Sequence, residues 1–291
     1  MDLVTVEEPL EIRVEYTLNG ERQTSAVSVT MRTPGHDFEL AAGFLYGEGL
    51  VRRPEDVAEI SYCQTDEPQT YNIVVVKLRP GVPFDPEEIS RNFYVNSSCG
   101  VCGKASLEAV EVRGCEQIPD EGMSLDPAIL SGLPDKLRVE QGLFDRTGGI
   151  HAAGHFDESG ELVLVREDVG RHNAVDKIVG EAFLAGGLPM RRTLLAVSGR
   201  SSFEIMQKAL AAGIPVVVAV GAPSSLAVDL ARNFNMSLLG FTRSEGFNVY
   251  AGAERIAGGI AVSLALGSTG AALDDRHAAT PPPPQRLLRK R

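Results

Sequence analysis

The second half of the chain alternates between strand-like and helical patterns, and this alternation limits the possible folds more than any other feature. Short apolar runs predict four strands, at 161–166, 193–198, 215–220 and 237–241. Helical spacing lies between them, for example at Val175, Ile178, Val179 and Ala182. Strands that alternate with helices form a layered α/β sheet, whose ligands usually bind beyond the carboxyl ends of the strands.

The first hundred residues carry a different pattern. Apolar and polar residues alternate on both sides of Asn19-Gly20, which is typical of a β-hairpin. A helix is predicted after Thr33-Pro34, ending where Gly47 and Gly49 interrupt the helical spacing, and residues 71–78 predict another strand. This part is therefore predicted to be a small α+β unit.

We predict three parts in the whole chain. Residues 1–110 form the N-terminal α+β domain, which ends in a mobile Cys-X-X-Cys loop, and residues 111–270 form the α/β domain. Periodicity is weak between Pro80 and Pro134, which we interpret as a mobile connection. Residues 271–291 contain four consecutive prolines and a basic end without a core pattern, so we predict a disordered tail.

Composition excludes several classes of function. The formal net charge is -11, which opposes general binding to nucleic acid or to an anionic membrane. No apolar run is long enough to span a membrane, and the N-terminus lacks the basic and apolar regions of a secretory signal. We expect a soluble cytoplasmic protein in which an anionic ligand must meet a local basic or backbone site.

The stretch 96–104 holds Cys99 and Cys102 among Gly and Ser residues and ends in Lys104. A thiolate is the reactive form of cysteine, and a nearby cation favours it. The glycines leave the sulfur atoms accessible and the backbone free to move, as a group carrier with two partners requires. This pattern suits sulfur chemistry in which Cys99 attacks a donor persulfide.

A Cys-X-X-Cys pair is also half of a zinc site, and spacing alone does not separate the two interpretations. Zinc would need two more ligands. Cys63 and Cys115 are single cysteines, interpreted as small packed or surface residues, and Ala-Ala-Gly separates His151 from His155. A disulfide oxidoreductase is a further alternative, but its cysteine pair normally opens a helix after the first strand of a βαβ unit.

Four segments together resemble the successive signatures of the formate dehydrogenase accessory sulfurtransferase (FdhD) family. They are 97–103 (SSCGVCG), 147–154 (TGGIHAAG), 166–177 (REDVGRHNAVDK) and 198–204 (SGRSSFE). Their order and spacing match from about residue 6 to residue 260. Four signatures in register are far more specific than one Cys-X-X-Cys.

The resemblance implies a sulfurtransferase that takes persulfide sulfur from a cysteine desulfurase onto Cys99. The sulfur then passes to the molybdenum cofactor, bis-molybdopterin guanine dinucleotide, before this cofactor enters formate dehydrogenase. The persulfide cysteine of the family falls on Cys99, and the second cysteine of the motif falls on Cys102. We also expect a homodimer. The alternative is a non-catalytic chaperone that binds and delivers the cofactor, with dispensable or structural cysteines.

The family's cofactor-binding Phe-X-Arg segment falls late in this chain. Its members are Phe241, Thr242, Arg243, Ser244, Glu245 and Gly246. Some relatives have Pro-Gly-Arg after the arginine where this chain has Ser-Glu-Gly, so Arg243 is the secure match. The resemblance also implies a C-terminal three-layer α/β sandwich like the cytidine deaminase fold. Deaminase activity does not follow, because His151-Ala152-Ala153 lacks the glutamate of a zinc deaminase.

Two polar segments beside predicted strands are candidates for anion binding. Arg171 and His172 precede an apolar helical pattern, where a helix N-terminus attracts phosphate. Ordinary helix capping by Asp168 and Asn173 is the alternative. The segment 198–202, with Ser198 and Arg200, ends a strand and opens a helix, so its backbone and hydroxyl groups suit phosphate. For His151 and His172 the sequence leaves two interpretations, a contact to the ligand or an ordinary hydrogen-bonding residue.

Overall fold

The structure is a computed structural model that describes residues 3–63, 70–85 and 115–258. These residues form two β-sheets and six α-helices. The strands are β1 (Glu8–Leu18), β2 (Glu21–Arg32), β3 (Val57–Tyr62), β4 (Ile73–Leu78), β5 (His151–Asp157), β6 (Leu162–Asp168), β7 (Thr193–Val197), β8 (Val216–Ala219), β9 (Ser237–Arg243) and β10 (Gly246–Ala251). The helices are α1 (Asp37–Gly47), α2 (Pro127–Val139), α3 (Gly142–Thr147), α4 (Arg171–Leu184), α5 (Phe203–Ala211) and α6 (Ser225–Asn233).

The first sheet has the strand order β2-β1-β4-β3. The predicted hairpin is confirmed, since β1 and β2 pair antiparallel around Asn19 and Gly20, which have positive φ of 52° and 84°. Such a turn matches the twist of the two strands. One face of the sheet packs on α1, and its core includes Leu10, Ile12 and Val14 at alternate positions. The alternation of apolar and polar residues in the sequence of β1 therefore corresponds to this buried face.

The second sheet has the order β10-β9-β8-β7-β5-β6. The strands β7, β8 and β9 are parallel neighbours, which confirms the predicted layered α/β sheet. Its two faces are both covered, because Leu194 and Ala196 pack with α2 whereas Leu195 and Val197 pack with α4 and α5. A strand that is buried on both faces has a continuous run of apolar residues in its sequence, rather than an alternation of apolar and polar residues. The strands β7 and β8 have such runs.

The helices α1 and α4 join the two sheets by crossing in backbone contact at Gly43 and Gly180. A methyl group on Gly180 would lie 1.8 Å from the carbonyl oxygen of Glu39, and one on Gly43 would lie 1.9 Å from that of Asp176. Only glycine permits this distance. Because α1 covers the first sheet and α4 covers the second, the crossing sets how the two sheets are held together.

One prediction about the middle of the chain was wrong. We interpreted 80–134 as a mobile connection, but α2 begins at Pro127, where the Asp126 side chain accepts a hydrogen bond from the Ala128 N–H at 2.8 Å. Pro134 inside the helix obscured the signal. The apolar positions Leu130, Leu133 and Leu137 nevertheless repeat at helical spacing and are buried under the second sheet.

The proposed boundary at residue 110 and the tail from residue 271 lie outside the described residues, so both stay predictions. Within the described ranges, no helix is long and apolar enough to cross a membrane.

Candidate functional site

The carboxyl ends of β7, β8 and β9 meet at one edge of the second sheet, because these strands are parallel. Backbone hydrogen bonds connect the residues that follow them. The Gly221 N–H donates to the Gly199 carbonyl at 2.9 Å, and the Phe241 N–H donates to the Gly221 carbonyl at 3.1 Å. We call this row, with the side chains around it, the carboxyl edge. It brings together three segments that follow one another at intervals of about twenty residues in the sequence.

His151 and Arg171 lie over Gly199 at this edge. A methyl group on Gly199 would be 3.3 Å from His151 Nδ1 and 4.0 Å from Arg171 Cδ. The antiparallel strand β5 begins at His151 beside the end of β7, and α4 begins at Arg171 after its N-cap Gly170. Burial and the Arg171 charge lower the pKa of His151. The imidazole is therefore mostly neutral at pH 7.

The arginines at the edge have unused hydrogen-bonding capacity. Arg171 Nε is buried and has no hydrogen-bond partner among the described residues. Arg200 follows Gly199 and is exposed, and the described residues offer its side chain no ion pair. A buried donor that remains unpaired costs free energy, which a ligand atom at this position would recover. In a protein of net charge -11, this is a locally basic site.

His172 is held between two residues from the start of α5. Its Nε2 lies 3.0 Å from Ser202 Oγ, and its Nδ1 lies 3.6 Å from a carboxylate oxygen of Glu204. Burial lowers the pKa of His172, and although Glu204 opposes that shift, the positive charges of Arg171 and Lys208 add to it. The ring is positioned by protein groups on both sides. It borders the carboxyl edge rather than facing Gly199.

The Phe-X-Arg segment closes the other end of the row. Phe241 has a left-handed backbone with φ 53° although it lies in β9, and the residue is 46% exposed. A bulky residue rarely adopts this conformation, and such strain is concentrated at functional sites. Thr242 is buried, and its Oγ1 has no hydrogen-bond partner among the described residues.

The remaining residues of that segment lie in the hairpin between β9 and β10. Arg243, Ser244 and Glu245 are exposed, and Gly246 opens β10 opposite Arg243. Arg243 lies two residues beyond Phe241, so the structure places it next to the carboxyl edge but not over Gly199. Its side chain forms no hydrogen bond or ion pair with another described residue.

The serine hydroxyls of the 198–202 segment have internal partners. Ser198 Oγ accepts a hydrogen bond from the Ala152 N–H at 2.9 Å, which ties the segment to β5. Ser201 is fully buried, and Ser202 caps α5 by accepting from the Ile205 N–H. The predicted phosphate contacts of this segment therefore fall mainly on its backbone and on Arg200.

The other polar residues near Arg171 serve the packing between the two sheets. Asp168 is fully buried, pairs with Lys177 at 2.7 Å and accepts from the Thr33 N–H at 3.2 Å. Asn173 donates to the Met31 carbonyl at 2.8 Å.

A second buried ion pair connects α4 with α5. Both carboxylate oxygens of Asp176 lie within 2.9 Å of Lys208 Nζ. Burial raises the pKa of Asp176 to about 7, against the opposing charge of Lys208. Sequence reasoning missed both partners, because Lys177 ends the signature 166–177 without an assigned role and Lys208 lies outside the four signatures. In that polar segment, Arg171 approaches Gly199 and His172 borders the carboxyl edge.

Cys99 and Cys102 lie outside the described residues, so their placement and the choice between sulfur and zinc chemistry stay predictions. Cys63 and Cys115 are half-buried cysteines. Cys115 packs against the second-sheet core, in agreement with its interpretation as a packed residue. Three residues able to share a metal ion do not come together anywhere in the described ranges.

Sequence comparison identifies relatives along most of the chain. Residues 6–257 match the FdhD/NarQ family. A protein from Streptomyces avermitilis named sulfur carrier protein FdhD is 54% identical, covering 88% of this chain and 89% of that protein. A protein of the same name from Mycobacterium tuberculosis is 49% identical, covering 88% of this chain and 92% of that protein.

A solved structure is similar over the same length. The crystal structure of a protein from Desulfotalea psychrophila, described as a formate dehydrogenase accessory protein, superposes with a TM-score of 0.65 at 25% identity. It covers 88% of this chain, and the match covers 91% of that protein. The mixed α/β architecture is therefore shared with a protein of that description.

Proposed function

The chain belongs to the FdhD/NarQ family, and from that premise we propose that it is a sulfur carrier that serves formate dehydrogenase. The names of its relatives, with 46–54% identity over most of the chain, support a role in sulfur transfer. The finer proposal is that of a sulfurtransferase. In it, Cys99 takes sulfur from a cysteine desulfurase and delivers it to the molybdenum cofactor, bound as a substrate.

The first transfer is a thiol exchange at Cys99. The Cys99 thiolate attacks the terminal sulfur of the persulfide on the desulfurase. A new S–S bond forms on Cys99, the S–S bond of the donor breaks, and the donor cysteine leaves as a thiolate. Cys102, three residues away, is proposed to assist release of the sulfur.

The observation that carries the cofactor proposal is the convergence of three loops at the carboxyl edge. Arg171, Arg200 and Phe241 come from separate motifs, and the backbone row through Gly199 and Gly221 holds their segments side by side. Beyond the carboxyl ends of parallel strands is where α/β sheets bind nucleotides. The basic groups there suit the phosphates of the guanine nucleotide end.

Phe241 and Arg243 are proposed to bind the nucleotide at the hairpin end of the row. An exposed aromatic ring in a strained backbone provides a flat apolar surface, on which a guanine base can stack. Arg243 is exposed beside it and can form a charge-assisted hydrogen bond. We propose that Thr242, Ser244, Glu245 and Gly246 shape this hairpin, while Ser198 and His172 border the phosphate side.

The substitution Arg243→Ala should weaken the binding of GDP by about one to two orders of magnitude. Hydrogen bonds to charged groups contribute roughly 1.5 to 3 kcal/mol, and every 1.4 kcal/mol is about tenfold in affinity. Calorimetric titration of GDP into wild-type and variant protein measures the change. Persulfide formation at Cys99 should survive in the same variant, because that exchange does not need the nucleotide.

Arg22→Ala is the matched control. Arg22 is an exposed arginine of β2 in the first sheet, whereas the hairpin between β9 and β10 belongs to the second sheet. Its loss changes the net charge by the same amount and should leave GDP affinity unaltered. Equal weakening by both substitutions would indicate a long-range charge effect, and unchanged affinity in Arg243→Ala would place the nucleotide elsewhere.

Three further expectations about fold, location and oligomeric state accompany this proposal. We propose that the unit around the second sheet shares the cytidine deaminase fold without deaminase chemistry, that the protein acts in the cytoplasm, and that it forms a homodimer. Superposition on a deaminase crystal structure tests the first. Light scattering of the purified full chain tests the third.

A further inference from the structure

We propose that His151 is a phosphate-binding residue of the carboxyl edge, and that the site takes up a proton at this imidazole when it binds a nucleotide diphosphate. The proposal rests on the proposed function, because it assumes that the phosphates lie at this edge. It adds a residue and a proton linkage to that site.

The imidazole of His151 lies against the carboxyl edge. Its Nδ1 and Cε1 would lie 3.3 and 3.4 Å from a methyl group on Gly199, so the ring rests against the backbone of that residue. The Arg171 side chain approaches the same point, with Cδ at 4.0 Å. An anion that satisfies the unpaired Nε of Arg171 therefore lies within reach of His151 as well.

The charged groups around His151 determine how it responds to such an anion. They are Arg171 and His172 from α4, Arg200 from the 198–202 segment, Asp168 across the strand pair β5–β6, and Glu204 and Lys208 behind His172. Asp168 is neutralised by Lys177, with the two side chains 2.7 Å apart. Arg171 is therefore the charge that disfavours protonation of His151 in the free protein, and burial of the ring acts in the same direction.

A bound diphosphate should favour the protonated form of His151. An opposite charge within about 4–6 Å of an ionisable group typically shifts its pKa by 1–3 units toward the charged form. The pKa of His151 lies below its usual 6.5 in the free protein, because of burial and Arg171. It should rise in the complex, where the phosphate compensates the charge of Arg171.

Protonation of His151 should make the affinity for GDP depend on pH. Between the pKa of the free state and that of the complex, His151 is neutral in the free protein and protonated in the complex, so binding takes up a proton. Affinity for GDP should increase as the pH falls through the pKa that His151 has in the complex. The total increase is about tenfold for each unit by which this pKa exceeds the pKa in the free protein. The increase is complete below the pKa of the free protein, and it is lost as the pH rises above the pKa of the complex.

The test is calorimetric titration of GDP at about pH 7 in two buffers with different ionisation enthalpies, which gives the number of protons taken up. The terminal phosphate of GDP itself titrates near pH 6, so the measured quantity is the difference between proteins. Wild type should take up more protons per bound GDP than His151→Gln does. The variant should also show a flatter dependence of affinity on pH.

His155→Gln is the matched control, because His155 lies on the same strand, is half-buried and also has a pKa lowered by burial. It lies four residues beyond His151 in β5, and its substitution should leave the proton uptake as in wild type. Gly199→Ala is a second test variant, since its methyl group displaces the imidazole without removing the titrating group. This variant should lower GDP affinity.

The outcomes separate this inference from the proposed function. GDP binding with the same proton uptake in wild type and His151→Gln would overturn the inference and leave the nucleotide site intact. Uptake that is lost in His155→Gln but kept in His151→Gln would also overturn it. Absence of GDP binding to wild type would reject the nucleotide site itself, and the inference with it.

Discussion

Cys99→Ala is expected to abolish the support that this protein gives to formate dehydrogenase. The proposed exchange needs a thiolate at residue 99, and alanine leaves nothing to hold the sulfur. Folding should stay intact, because the Gly- and Ser-rich segment 96–104 carries no periodic core pattern. The measurement is formate dehydrogenase activity in cells that carry the variant as their only copy, together with the thermal unfolding curve of the purified variant.

Direct detection of the persulfide tests whether Cys99 accepts the sulfur. After incubation with a cysteine desulfurase and cysteine, mass spectrometry should show an added mass of about 32 Da for one persulfide sulfur, mapped to Cys99. The adduct should be missing in Cys99→Ala. Cys115→Ala is a suitable control, because Cys115 is a cysteine of a different segment that packs against the second-sheet core.

Other results with the same variants would support the alternatives. Cys102→Ala should have a milder effect than Cys99→Ala, since one thiol suffices to carry a persulfide. Equal and complete loss in both would favour a dithiol or zinc site, which metal analysis of the purified protein would detect. Full activity without either cysteine would indicate a cofactor chaperone and reject the sulfur carrier.

Gly180→Ala is expected to cause the largest loss of stability among conservative substitutions in the described residues. Its methyl group would lie 1.8 Å from the Glu39 carbonyl oxygen and 2.8 Å from the Gly43 nitrogen. These are backbone atoms, so no side-chain rotation relieves the clash and α1 must separate from α4. Overpacking of a core costs about 1–3 kcal/mol, and this rigid contact should cost at least the upper figure. Denaturant unfolding measures the difference.

Gly132→Ala is the control with the same chemical change. Gly132 lies inside α2, and no atom lies within 4 Å of the position that a methyl group would take. Alanine has the higher helix propensity, so this substitution should stabilise the protein by roughly 0.5–1 kcal/mol. A Gly180→Ala protein as stable as wild type would show that the α1–α4 crossing can widen at little cost.

The local patterns of the sequence predicted most of the elements around the site. The period of two around Asn19-Gly20 identified the first hairpin, and the apolar runs of the second half identified β6 to β9. Those patterns succeed because burial of one or both faces of a strand constrains each residue of that strand. They missed β3, β5, β10, α2 and α3. In β5 and α2, Gly154 and Pro134 interrupt the expected composition.

The sequence alone determined the family signatures and the edge at which the binding motifs meet, because parallel strands end on the same side of a sheet. Only the tertiary structure decided which residues face one another there. The pairs Asp168–Lys177 and Asp176–Lys208, the crossing at Gly43 and Gly180, and the approach of His151 to Arg171 join separate elements or distant positions. Periodicity reports whether a position is buried but not its partner, and a glycine has no side chain by which a pattern could reveal a close contact.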